Sequence, residues 1–115
     1  MTEKRDEQAG PELQAAKERI KARVDEWAVK VGVRMKVVHI RAMKTKWASL
    51  STDGRIMLNS ELLTLSRELC DYVIVHELVH LKAPNHGILF KSYMSMFLPE
   101  WQKLERELGK KRRLN

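Results

Sequence analysis

One cysteine, Cys70, stands in 115 residues, so no intramolecular disulfide can hold this chain together. Three prolines and five glycines are too few for a Pro/Gly-rich linker or a low-complexity block, and the glycines do not group into a phosphate-cradling loop. No apolar run approaches the roughly 20 residues that cross a bilayer. No secretory leader pattern is present either, which leads us to expect a cytoplasmic protein without a membrane partner. Aromatic residues are 6% of the chain, and none interleaves a basic motif in the manner of a nucleic-acid platform. The length suits a single domain with one hydrophobic core, a shallow cleft and a monomeric state.

Charge is what the chain has in excess. The formal net charge is +7 with a pI near 9.8, which draws acidic partners non-specifically. Lys110-Lys111-Arg112-Arg113 is the densest basic cluster. Residues 110–115 read as a solvated tail beyond a helix stopped by Gly109, where cations also suit the helix dipole. Charge alone does not establish nucleic acid as a partner.

The chemistry is concentrated in His76-Glu77-Leu78-Val79-His80. On a helix, positions four apart differ by only about 40° around the axis, so two imidazoles project from one face and can chelate one Zn²⁺. Glu77 falls beside that face, placed to act as general base on a zinc-bound water whose pKa the metal has lowered. The segment from Tyr72 to Leu81 is apolar on every side, as in a helix buried in a domain. Core histidines satisfied by hydrogen bonds are the simpler alternative, but a glutamate and two histidines in an apolar helix are costly without a shared task.

A catalytic zinc site wants three protein ligands and one open position. Pro84 ends the helix, Asn85 suits the N-cap of a new one, and His86 would open it and fold back to the metal. Glu100 and Glu105 are the carboxylate alternatives.

Around this motif, residues 1–10 lack apolar periodicity and are expected to be mobile, and residues 11–109 form the domain. From Pro11, a natural first helical residue, Leu13, Ala16, Ile20, Val24, Trp27 and Val31 recur at helical spacing until Gly32. Val38, Ile40 and Ala42 alternate with Val37, His39 and Arg41 as a strand. Trp47–Ser51 and Arg55–Asn59 flank an Asp53-Gly54 hairpin turn. Three antiparallel strands are expected. Ser60–Leu65 reads as a short helix or turn, and Ser66 as N-cap of the motif helix, which runs to about Lys82. Two helices follow, one carrying Phe90, Tyr93, Met94 and Phe97, the other Trp101, Leu104 and Leu108.

With these residues in place, the sequence resembles the YgjP-like zinc metallopeptidase family and, more distantly, the SprT-like metallopeptidases, both of zincin type. The likeness runs from Met43 to Ser51, through Gly54–Asn59 and Asp71–Leu81, to Pro84-Asn85-His86-Gly87, Phe90, Pro99 and Trp101. The family's usual Trp-Gly-Ser-Cys reads Trp47-Ala48-Ser49-Leu50 here. The resemblance implies His76, His80 and His86 as metal ligands and Glu77 as general base. It further implies a compact α+β, zincin-like fold, with a long N-terminal helix on a small antiparallel sheet, then the motif helix and two C-terminal helices. One strand should offer its edge to an extended peptide, and we expect it to be the second hairpin strand.

The expected function is therefore zinc-dependent hydrolysis of a peptide or protein substrate. Two other readings are a zinc-dependent nucleotide or phosphate-ester hydrolase, which the positive charge would serve, and a non-catalytic zinc-stabilised binding module with a basic tail. An oxyanion donor is also required; Tyr72, Tyr93, His39 and Arg55 are candidates between which sequence does not choose.

Overall fold

A computed structural model describes residues 2–114, with side chains placed for residues 10–111. The element order is α1 (Thr2–Val31), β1 (Val37–Arg41), β2 (Ala48–Leu50), β3 (Arg55–Asn59), a 3₁₀ turn (Ser60–Thr64), α2 (Arg67–Val79), α3 (Ile88–Phe97) and α4 (Trp101–Leu114). The architecture is the α+β arrangement expected, with four helices around one small sheet.

The apolar stripe of α1 is buried from Ile20 onward, through Val24, Trp27, Ala28 and Val31, whereas Leu13 is exposed. The helix starts at Thr2 rather than at Pro11. Proline removes one N–H and crowds the preceding turn, but the flanking Glu, Lys, Arg, Gln and Ala are good helix formers that carry the backbone through it. Gly32 ends the helix as expected: it takes a φ of 84°, and the N–H groups of Gly32 and Val33 both donate to the Ala28 carbonyl at 2.9 Å. Flanking the stripe, Arg23 grips the buried Asp71 of α2 with two bonds, Nη2 to Oδ2 at 2.5 Å and Nε to Oδ1 at 3.2 Å.

The sheet corrects two expectations. Its order is β1-β3-β2, with β2 and β3 an antiparallel hairpin but β1 parallel to β3. Alternating hydrophobicity reports faces, not strand direction, so it gave no sign of this. The cause lies in residues 42–47, which do not turn back beside β1 but cross the end of β3 to reach its far side. Asn59, 1% exposed, fixes that crossing: its amide donates to the carbonyls of Met43 at 2.9 Å and Lys46 at 2.8 Å, and its Oδ1 accepts from Glu61 N–H at 3.0 Å. At the other end Gly54 (φ 92°) accepts from Lys36 N–H at 2.7 Å, and a Cβ there would meet the Arg34 carbonyl at 3.0 Å. It follows that β3, the second hairpin strand, is central and has no free edge. The edge strand packed against α2 is β2.

One sheet face, with Ile40, Ile56, Leu58 and Ala48, is buried against the helices. Most of α2 from Leu69 to Val79 is buried with it, each large apolar side chain contributing about 1.5–3 kcal/mol. The C-terminal end departs from expectation too. α4 passes through Gly109, which lacks the positive φ of a stop, and residues 110–114 continue the helix instead of forming a loose tail; a helical glycine costs only about 1 kcal/mol. Among the described residues no helix is long and apolar enough to cross a membrane.

Candidate metal centre

Ser66 caps α2 through a side-chain bond from Leu69 N–H, so the helix reaches the motif in register. His76 and His80 then stand one turn apart with ring centroids 4.8 Å from each other. α2 stops at Val79, earlier than expected, because its last turn tightens. The N–H groups of His80, Leu81 and Lys82 donate to Glu77, Leu78 and Val79 at 3.1, 3.1 and 2.9 Å, three residues back in each case. This brings the Ala83 carbonyl to 3.2 Å from His80 Nδ1. An imidazole donating there keeps Nε2 free for a metal. Burial first, and then the neighbouring His76, push the His80 pKa below the ordinary histidine value, which favours the neutral, ligating form.

His86 arrives from the loop rather than from a helix. Asn85 does not cap α3; its Oδ1 accepts from Gly87 N–H at 3.0 Å, a local turn that displaces the N-cap to Gly87. The turn aims His86 back, with its ring 5.4 Å from His76 and 4.7 Å from His80. One ligand atom from each of the three histidines lies within 4.8 Å of the others. His76 and His80 are half-buried and His86 is exposed, so the cluster has an open side. Glu77 Oε2 lies 3.4 Å from His76 Nδ1, at the margin of the cluster.

The carboxylate alternatives do not join it. Glu105 accepts from the Tyr72 hydroxyl at 3.4 Å, and Glu100 lines a cavity of about 460 Å³ with Ser66 and Asp71. A second cavity, about 540 Å³, opens between α1 and the start of α2. Neither of these two cavities is lined by a histidine of the cluster.

Phe90 is the residue that sequence placed only in a core. Its ring lies 5.2, 4.8 and 4.8 Å from those of His76, His80 and His86, and it is 2% exposed. The spacing His86-Gly-x-x-Phe90 was the available signal. Of the four oxyanion candidates, Tyr72 approaches the cluster, with its ring 5.7 Å from His76; burial, then Glu105, raises its pKa. Tyr93 stacks on Phe97 under Lys82, while His39 and Arg55 are exposed on the other side of the sheet.

Residues 3–111 match the model of the YgjP-like metallopeptidase domain. The chain is similar in structure to the metallopeptidase zymogen jannalysin of Methanocaldococcus jannaschii, with 30% identity, a TM-score of 0.71, and 80% of this chain and 95% of that one covered. It is similar also to the metallopeptidase zymogen abylysin of Pyrococcus abyssi, with 28% identity, the same TM-score, and 80% and 93% covered. No curated protein is a significant match.

Proposed function

Because the chain belongs to the YgjP-like metallopeptidase family, we propose that it hydrolyses peptide bonds with zinc held by His76, His80 and His86 and with Glu77 as general base. The observation that carries this reading is the meeting of three imidazoles, from α2 and from the loop after it, within 4.8 Å. An all-nitrogen donor set with an open side fits zinc in a catalytic coordination. When bound, the ion supplies Lewis-acid polarisation of the scissile carbonyl and acidifies water.

The chain's own residues do the rest. Glu77 takes the proton from the attacking water and returns it to the leaving amine. The Ala83 carbonyl orients His80, and Phe90 backs all three rings. Substrate is held by β2. The Asn59 N–H bonds the Trp47 carbonyl at 2.8 Å and Ser51 N–H bonds the Arg55 carbonyl at 2.9 Å. Bonded pairs alternate along an antiparallel ladder, so the main-chain groups of Ala48 and Leu50 point away from β3, toward an extended peptide.

The test is Glu77→Gln. Zinc content should stay at the wild-type level while peptide hydrolysis falls about 10³-fold; wild-type hydrolysis in that variant would remove Glu77 from the mechanism.

A further inference from the structure

The positive charge is not spread evenly. In residues 1–31 basic and acidic residues balance, whereas between Gly32 and Asn59 six cations, Arg34, Lys36, Arg41, Lys44, Lys46 and Arg55, face one acid, Asp53. Asp53 is already engaged, by the Ser51 hydroxyl and by Arg55 Nε at 3.3 Å. Among the described residues no ion pair engages Arg41, Lys44 or Lys46.

Arg41, Lys44 and Lys46 lie toward the Asn59 end of the sheet, and Arg55 at the Gly54 end. The buried sheet face is that of Ile40, Ile56 and Leu58, so the opposite face carries His39, Arg41 and Arg55, all exposed, with half-buried Met57 between them. At the top of that face Asn59 clamps the crossing loop by its Met43 and Lys46 carbonyls. The exposed Lys44 and Lys46 are thereby carried to the end of the sheet where β2 begins. A basic surface thus adjoins the strand whose outer edge faces substrate.

We propose that this outward sheet face is an exosite for an acidic stretch of the protein substrate, flanking the segment paired to β2. The proposal rests on the peptidase reading above and adds a substrate class to it. Charge complementarity supplies the attraction, and continuity with β2 supplies the occupant. A single-stranded nucleic acid is the other polyanion, but such binding relies on successive stacked aromatics, and the described rings on this side are the exposed His39 and the half-buried Trp47.

The experiment compares two peptides with the same cleaved core, one with a run of glutamates beside it and one with glutamines. At about 0.05 M salt the acidic peptide should have roughly tenfold higher kcat/KM, and the advantage should vanish near 0.5 M, where the Debye length is a few ångströms. In Lys44→Glu/Lys46→Glu the ratio should fall to about one even at low salt. Equal kcat/KM for the two peptides in the wild type overturns the proposal while leaving the peptidase reading intact. If neither peptide is cleaved, the peptidase reading is the one in difficulty, and fluorescence anisotropy of the labelled acidic peptide on Glu77→Gln still decides the exosite. Salt-sensitive binding lost in the double lysine variant supports it. Absent binding, or binding of a single-stranded oligonucleotide in place of the acidic peptide, overturns it.

Discussion

Phe90 lies nearly parallel to His80, with ring centroids 4.8 Å apart and planes at 27°. The same ring meets His76 and His86 edge-on, at 75° and 88°. One side chain from the first turn of α3 therefore packs against all three imidazoles. Trp101 of α4 stands behind it at 6.5 Å and is tied by its indole N–H to Ser95 Oγ at 3.1 Å.

Phe90→Leu should fold, since it keeps an apolar group in the site, yet lower zinc affinity about tenfold by releasing the rings it supports. Competition with a chromophoric chelator measures this. Affinity equal to wild type would reduce Phe90 to ordinary core packing.

Asn59→Ala removes the two bonds that hold residues 42–47 across the sheet and the one that caps the 3₁₀ turn at Glu61 N–H. The expected loss is about 2–4 kcal/mol, read as a lower urea midpoint. If the crossing also sets the β2 edge, KM for peptide should rise in the same variant at temperatures where it remains folded.

The motif's reach through the sequence had physical limits. His76, Glu77 and His80 were legible because helical geometry ties spacing to a common face. His86 was legible as a candidate, but its position in a loop was not, since an asparagine before a helix can cap it or form a local turn and sequence does not separate the two. The strand segments were legible from alternation, yet the parallel pairing of β1 with β3 depends on Asn59 and Gly54, contacts between residues far apart. Pro11 and Gly109 misled in the same way. Each is a punctuation signal whose cost, about 3 and 1 kcal/mol respectively, a run of good helix formers can override.

Cys70 is 7% exposed, and burial, followed by the negative charge of Asp71, pushes its thiol up to about 11 from 9.0. A raised thiol pKa contributes stability that is present below pH 9.0 and lost as pH rises toward about 11. Native protein at pH 8 should therefore react slowly with a thiol reagent and rapidly once unfolded by urea. Between pH 8 and 10.5 the wild type should lose more stability than Cys70→Ala. Identical losses would show that the thiol stays accessible to water in the fold.

The most direct measurement is peptide hydrolysis by metal-stripped protein during stepwise return of zinc. Activity should be absent at the start, rise in proportion to zinc and level off at one ion per chain, whereas His86→Ala should bind zinc weakly and recover little. Hydrolysis that persists without metal, or that is restored fully in His86→Ala, would contradict a peptidase built on these three histidines.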